Sequence, residues 1–232
     1  MMDAQLASTS YQDSRARLET YFDRTARKAW EDLTSDAPVS GIRATVRAGR
    51  DAMRDVLLAR LPADMTGMRL LDAGCGTGAL AVAAARRGAA VVAIDVSQGL
   101  IDIARDRAPG GLAIEWCVGD MRSHHLGHFD AVVAMDSLIH YDAADIVGVL
   151  KSWAQRSQQI LFTFAPGTPL LRAMHAAGKL FPRSDRSPAI RPVAETRLAA
   201  AIGTALPGWT IGHSERVSSG FYKSHAMEVR RP

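Results

Sequence analysis

Leu70-Leu71-Asp72-Ala73-Gly74-Cys75-Gly76-Thr77-Gly78 is the most informative stretch of this 232-residue chain. A short apolar run ends in an acid, and a loop with three glycines follows. The Ala-rich segment Leu80–Arg87 then reads as a helix. Strand, glycine loop and helix in that order make a backbone cradle. Glycines remove Cβ atoms where a ligand must lie against main chain. The first turn of the helix behind them carries N–H groups with no intrahelical partner. Taken alone the loop also fits a dinucleotide site, because Gly74, Gly76 and Ala79 satisfy G-x-G-x-x-A.

Outward from this loop, short apolar runs alternate with helical patterns. Arg69–Ala73, Ala90–Asp95, Ala113–Val118, Phe129–Met135 and Gln159–Phe164 read as strands, with helices at Leu80–Arg87 and Gly99–Ala108. Strands separated by helices imply an α/β fold with a parallel sheet and right-handed crossovers. A helix is expected near Glu195–Leu206, and Trp209–Ile211 and Phe221–Val229 read as a terminal pair of strands.

Residues 1–65 read as helical and are expected to form an arm or lid on a domain spanning residues 66–232. Leu18, Tyr21, Phe22, Ala26, Ala29, Trp30 and Leu33 recur at helical spacing, which predicts one helix from about Gln12 to Leu33. A second helix follows with Ile42, Val46, Met53, Val56 and Leu57 on its apolar side. Arg43, Arg47, Arg50 and Arg54 form a cationic stripe along it. The stripe reads first as a solvated face, and otherwise as a surface for anionic lipid or an anionic ligand.

Composition narrows the class. Apolar residues make up 47% of the chain and charged residues 22%, which excludes a mainly disordered protein. No run approaches the roughly 20 apolar residues of a membrane span. The N-terminus lacks the basic and apolar regions of a secretory signal. Cys75 and Cys117 are too few for a disulfide framework or a four-ligand zinc site, so a cytoplasmic protein is expected. His124, His125 and His128 have no convincing acid or cysteine to complete a metal site, and read as a polar loop. No resident metal is expected. A net charge of +4 and a pI near 9.4 suit an acidic small molecule, an anionic membrane surface or nucleic acid, without choosing among them.

Three acids argue against a pyrophosphate ligand. Asp72 stands at the tip of the first strand, two residues before the first glycine, where it would repel a phosphate. It would instead suit a sulfonium compound with a free amino group. Asp95 ends the second strand in Ala-Ile-Asp-Val-Ser, where a carboxylate can take both hydroxyls of a ribose. Asp120 follows the third in Val-Gly-Asp-Met, where it can accept from an adenine amine. Ligands of open α/β sheets lie at the carboxyl ends of the strands, so the three acids converge. This set resembles the class I S-adenosylmethionine-dependent methyltransferases over about residues 68–164. The resemblance implies a Rossmann-like sheet of seven strands, the last antiparallel and formed by Phe221–Val229. It also implies a donor site of Asp72, Gly74, Gly76, Asp95, Val96, Asp120, Met121 and Asp136, with S-adenosylhomocysteine as product.

The acceptor is expected to be small. After the fourth strand the chain reads Met135-Asp136-Ser137-Leu138-Ile139-His140-Tyr141, without the Pro-Pro-aromatic platform of nucleic-acid amino methyltransferases. No nucleic-acid partner is expected. Tyr21-Phe22-Asp23-Arg24-Thr25-Ala26, Trp30, the arginine-rich helix and Leu138-Ile139-His140-Tyr141 form a second pattern. It continues with Phe164-Ala165-Pro166-Gly167-Thr168, Leu180-Phe181-Pro182 and Gly220-Phe221-Tyr222-Lys223-Ser224. Nearly the whole chain thus resembles the magnesium protoporphyrin IX methyltransferases of the bacteriochlorophyll pathway, with Lys223 as a departure where a smaller or apolar residue is expected.

That resemblance implies methyl transfer to a propionate of Mg-protoporphyrin IX, with magnesium present only as part of the porphyrin. It places the family's active-site tyrosine and histidine at Tyr21 and His140. It also implies handover from the porphyrin-binding subunit of magnesium chelatase and leaves room for peripheral contact with the photosynthetic membrane. His140 would either orient the propionate or ligate the porphyrin magnesium, and Tyr21 would close the site. Tyr21, Phe22, Trp30, Leu138, Leu180 and Phe181 are candidate walls for a flat macrocycle. Lys179, Arg183, Arg186 and Arg191 are candidates for the second propionate. The alternatives are another small-molecule O- or N-methyltransferase, such as one acting on a quinone precursor, a donor-binding subunit without catalysis, and a nicotinamide oxidoreductase.

Overall fold

The computed structural model describes residues 2–25, 34, 41–167 and 189–232. Trp30, Lys179, Leu180, Phe181, Arg183 and Arg186 lie outside the described residues, as does the Ala26–Leu33 part of the expected first helix. The described chain opens with α1 (Met2–Thr20), a π-helical turn (Tyr21–Thr25) and α2 (Gly41–Leu58). Then come β1 (Arg69–Ala73), α3 (Ala79–Ala85), β2 (Ala90–Asp95), α4 (Gln98–Arg107) and β3 (Ile114–Val118). β4 (Ala131–Ala134), α5 (Ala143–Ala154), β5 (Gln159–Phe164), α6 (Glu195–Ala205), β6 (Thr210–Ser219) and β7 (Tyr222–Arg230) complete it.

The seven strands form one sheet in the order β3-β2-β1-β4-β5-β7-β6. β1 to β5 pair in parallel, and β7 runs antiparallel to both β5 and β6. From β1 the chain builds toward one edge, then returns to place β4 on the other side. The strand order therefore reverses between β1 and β4, and such a switch point leaves a crevice at the carboxyl ends. The glycine loop leaves β1 at that crevice, and Asp136 follows β4 on its other bank.

Alternation along the strands divides the core. Leu71, Val92, Ile94, Val132 and Phe162 face a cluster that includes Tyr11 and Leu18 of α1, Trp153 of α5 and Leu198 of α6. Leu70, Val91, Ala93, Val133 and Leu161 face the other way, onto Met53 and Leu57 of α2 and Leu80 of α3. Both faces of the inner strands are covered, which is why they read as continuous apolar runs. α2 is built into this second layer. Gly49 lets it approach β7 so closely that a Cβ there would lie 2.5–2.8 Å from Tyr222 side-chain carbons.

Three expectations need correction. α1 begins at Met2, not near Gln12, because Tyr11, Ser14 and Leu18 form a buried face one turn earlier than the stripe read from sequence. α5 was not expected at all. Its β-branched residues and Gly148 make weak helix signals, yet Asp142 caps it by accepting from the backbone N–H groups of Ala144 (3.1 Å) and Asp145 (3.0 Å). Trp153 anchors it, fully buried, with Nε1 donating to the Met121 carbonyl at 3.0 Å. β6 runs to Ser219 rather than Ile211, because pairing with β7 supplies the order that its polar sequence does not signal.

Replacing Gly49 with leucine should overpack the α2–β7 contact and destabilise the fold by about 1–3 kcal/mol. Denaturant unfolding would measure it, and unchanged stability would show that Tyr222 can move aside.

Candidate active site

A cavity of about 300 Å³ opens at the carboxyl ends of the strands. Of the residues expected at the donor site, Gly74, Gly76, Asp95, Val96, Met121 and Asp136 line it, and Asp72 and Asp120 are not among its lining side chains. His140 lines it, and the arm contributes Tyr11, Leu18 and Phe22.

The loop glycines do different work. Gly74, Gly76 and Gly78 all have positive φ (79°, 54° and 79°). A Cβ on Gly74 would lie 2.3 Å from Ser137 Cβ, and one on Gly78 would lie 2.4 Å from the Trp116 ring. These two permit close packing of the protein on itself. Nothing lies within 4 Å of a Cβ built on Gly76. Gly76 is the open shelf on the cavity wall where a ligand can approach the backbone.

Asp95 is oriented from this shelf. Its Oδ2 accepts from the Gly76 N–H at 2.9 Å, and its Oδ1 from the Ser97 N–H at 3.0 Å. Burial raises its pKa, and backbone N–H groups of Ser97, Gly76 and Val96 act against that. Each carboxylate oxygen can accept two hydrogen bonds, so Asp95 keeps capacity for a pair of hydroxyls.

Asp72 shares its strand parity with Leu70 and points beneath the glycine loop toward α3. It is 1% exposed, and among the described residues its Oδ2 has no hydrogen-bond partner. Burial pushes its pKa up to about 7, the Ala81 backbone N–H opposes this, and the charge of Asp95 adds to it. Asp120 faces the arm. Its Oδ1 accepts from the Tyr11 hydroxyl at 2.7 Å and from the Arg122 N–H at 2.8 Å. Tyr11 stacks on Tyr141 with ring centroids 5.1 Å apart and lies under the Arg122 guanidinium. Burial, with Tyr141 and Asp120 beside it, holds the Tyr11 hydroxyl well above its ordinary pKa, and Arg122 opposes this.

A second tie comes from Asp23, whose Oδ1 accepts from Ser97 Oγ (2.5 Å) and from the Gly99 N–H (3.1 Å). A carboxylate at the start of α4 is favoured by the helix dipole and satisfies an otherwise unpaired donor. Sequence reasoning missed both Tyr11 and Asp23. Tyr11 sits seven residues before Leu18, which is a helical signal; Asp23 carries none.

Tyr21 lies in the π-helical turn, edge-on to Phe22 at 5.2 Å, and it is the Phe22 side chain that reaches the cavity wall. His140 ends the 3₁₀ turn Leu138–His140 just after Ser137. Buried Leu138 belongs to the core rather than to the cavity. Arg191 pairs with Asp142 at 3.3 Å. Phe221, Ile190 and Lys223 frame the mouth, and Phe221 is 65% exposed.

Asp136 is the most constrained residue of the wall. It has a φ of 56°, in a region that non-glycine residues rarely adopt. Its N–H donates to Thr163 Oγ1 at 2.7 Å. Its Oδ1 accepts from the Tyr222 hydroxyl (2.9 Å) and Ser224 Oγ (3.2 Å), and its Oδ2 from Arg50 Nη1 (2.8 Å). The arginine stripe is therefore not wholly a solvated face, since Arg50 turns inward. Among the described residues no group of three His, Cys, Asp or Glu side chains is placed to hold a metal ion.

Residues 134–231 match the family Magnesium-protoporphyrin IX methyltransferase C-terminus, and residues 70–158 match a general methyltransferase domain. A magnesium-protoporphyrin O-methyltransferase of Rhodobacter capsulatus is 51% identical, covering 96% of this chain and 99% of the relative. A ubiquinone biosynthesis O-methyltransferase of Methylocella silvestris is 36% identical, but over only 56% of this chain and 54% of that one. The crystal structure of magnesium protoporphyrin IX methyltransferase from Synechocystis with bound S-adenosylhomocysteine is similar at a TM-score of 0.82 and 26% identity. That match covers 94% of this chain and 99% of the other.

Asp72 supplies a pH test of this geometry. Its proton is held more tightly in the folded protein than in the unfolded chain, where an aspartate titrates near about 3.9. Stability of the ligand-free protein should therefore fall as pH rises from about 4 to about 7. Asp72→Asn should stabilise the protein at pH 8 by on the order of a few kcal/mol, and much less at pH 5. Denaturant unfolding at the two pH values checks this, and an equal effect at both would show that Asp72 is already ionised at pH 5.

Proposed function

The chain belongs to the magnesium-protoporphyrin O-methyltransferase family, and on that premise we propose that it transfers a methyl group from S-adenosylmethionine to a propionate of Mg-protoporphyrin IX, forming the monomethyl ester. The observation that carries this reading is the continuity of the cavity. Its inner part holds the Gly76 shelf and Asp95, and its mouth is framed by Phe221, Ile190 and Lys223. A nucleoside fits the first part, and the apolar, cationic rim suits a flat macrocycle with carboxylates.

When bound, S-adenosylmethionine supplies an electrophilic methyl group on a sulfonium. Asp95 takes the ribose hydroxyls, Gly76 leaves room for the donor against the backbone, and Val96 and Met121 flank the base. A propionate has a pKa near that of Glu, about 4.3, and is ionised at neutral pH. No strong general base is needed, and the side chains contribute mainly alignment and exclusion of water. His140 donates to the propionate and fixes its approach. Tyr21 acts from the arm, which Asp23 and Tyr11 tie down over the cavity. Magnesium enters as part of the porphyrin.

Handover from the porphyrin-binding subunit of magnesium chelatase and peripheral membrane contact belong to the same proposal. A pI near 9.4 and the exposed Ile42 and Phe221 support them. No helix among the described residues is long and apolar enough to cross a membrane.

Incubation with methyl-labelled S-adenosylmethionine and Mg-protoporphyrin IX, with metal-free protoporphyrin in parallel, should give a labelled, base-labile ester of the magnesium porphyrin. No label in either porphyrin, with S-adenosylhomocysteine still bound, would send the assignment to another acceptor. His140→Ala should lower turnover by about a hundredfold, the scale of a lost alignment, and leave donor affinity unchanged. An unchanged rate would remove His140 from the reaction.

A further inference from the structure

Among the described residues, the permanent cations on the cavity wall are Arg50 and Lys223. Arg50 is spent inside the fold, with Nη1 2.8 Å from Asp136 Oδ2. Lys223 is held differently. Its Nζ donates to Ser218 Oγ at 2.5 Å, a neutral oxygen in an exposed position, and no carboxylate among the described residues pairs with it. Arg191, the described member of the group expected to meet a second propionate, is matched by Asp142 at 3.3 Å and does not line the cavity.

The sheet sets where this charge stands. β7 runs antiparallel to β5 with His225 opposite Phe164, so Lys223, two residues earlier on β7, overhangs the carboxyl end of β5. Strand alternation puts it on the face opposite Tyr222 and Ser224, which reach Asp136. His140 follows β4, the other neighbour of β5. The Arg191 N–H donates to the Ile139 carbonyl (2.8 Å) and the Val193 N–H to the Ala165 carbonyl (2.9 Å), which ties residues 190–193 to the His140 turn and to the end of β5. His140 and Lys223 therefore stand on either side of β5, about two strand spacings or 10 Å apart. Ile190 and Phe221 supply apolar surface on the same wall.

We propose that Lys223 receives the second propionate of the acceptor, the one that is not methylated, and so favours a single ester. The inference rests on Mg-protoporphyrin IX being the acceptor. That macrocycle carries two propionates side by side on one edge. With one at His140, the other extends along the rim to the ammonium. The reacting propionate is a poorer partner for Lys223, since a cation against it would stabilise the nucleophile before reaction and slow the attack. The second carboxylate keeps its charge throughout. In the reaction a carboxylate oxygen bonds the methyl carbon as the carbon–sulfur bond breaks, the sulfonium leaves as a neutral thioether, and no proton moves. For a second methylation the product must turn over, which brings its new ester to Lys223. An ester has no charge to offer an ammonium, so re-entry is disfavoured.

The test compares two acceptors under steady-state conditions. One is Mg-protoporphyrin IX, and the other is its chemically made mono-ester with the non-reacting propionate already methylated. The wild-type protein should show a KM about fivefold lower for the diacid, the scale of one ion pair near the surface. Lys223→Met keeps the apolar stem and removes the charge. It should raise KM for the diacid about fivefold, leave KM for the mono-ester within twofold, and shift the KM rather than kcat. Lys223→Arg should restore most of the difference. Long incubation of Lys223→Met should give more dimethyl ester per monomethyl ester than the wild type gives. Calorimetry should show S-adenosylhomocysteine affinity within twofold of wild type in both variants. Equal KM values for the two acceptors in the wild type, an unchanged KM for the diacid in Lys223→Met, or an equal rise for both acceptors would overturn the proposal while leaving the reaction assigned. Absence of any ester from the wild type, with S-adenosylhomocysteine still bound, would overturn the acceptor reading and this inference with it.

Discussion

The carboxylate of Asp136 joins more of this molecule than any other side chain of the site. It accepts from Arg50 on α2 and from Tyr222 and Ser224 on β7, while its own N–H is held by Thr163 of β5. These bonds fix a backbone conformation that would otherwise cost of order 1–3 kcal/mol. Strain of that size persists only where surrounding structure over-determines it. Here it turns the chain after β4 sharply enough to bring Ser137 against Gly74 and so define one bank of the crevice. Removing Arg50 leaves the Asp136 charge uncompensated, whereas removing Tyr222 or Ser224 takes away one neutral donor, so the cluster works as a connected polar network.

Acids at the strand tips have separate physical duties despite their similar appearance in sequence. Asp95 is held by backbone donors and faces the cavity. Asp120 is spent on Tyr11 and therefore on docking the arm. Asp72 lies under α3, where burial favours its neutral form. Strand alternation decides the last of these, because residue 72 has the parity of Leu70 and cannot turn to the other side. The Ala81 backbone N–H of the short helix above it favours the charged form, without outweighing burial.

The arm is held both by apolar packing of Tyr11, Leu18 and Phe22 against the core and by polar ties. Tyr11 reaches Asp120, and Asp23 caps α4 through Ser97 and Gly99. Both ties end at elements that border the cavity, so the docked arm supplies part of its wall. Tyr11, Leu18 and Phe22 then close the wall with apolar surface, which excludes water from a reaction between a sulfonium and a carboxylate. Elsewhere along the cavity lining, Phe221 remains exposed.

By itself, the sequence determined the parallel sheet, the position of the glycine loop, the role of β7 as the antiparallel strand and the class of donor. Those features depend on local patterns: apolar runs, glycine spacing and an acid at a strand end. The tertiary structure decided which side chains share a wall. Arg50 belongs to a stripe that reads as solvated, and only the crossing of α2 over β7, permitted by Gly49, turns it onto Asp136. Tyr11 and Asp23 acquire their meaning from partners 109 and 74 residues away. α5 and β6 likewise owe their order to packing and pairing, since their intrinsic signals are weak. Local periodicity reports how a segment folds; charge pairs and hydrogen bonds between distant segments depend on where the chain crossings place them.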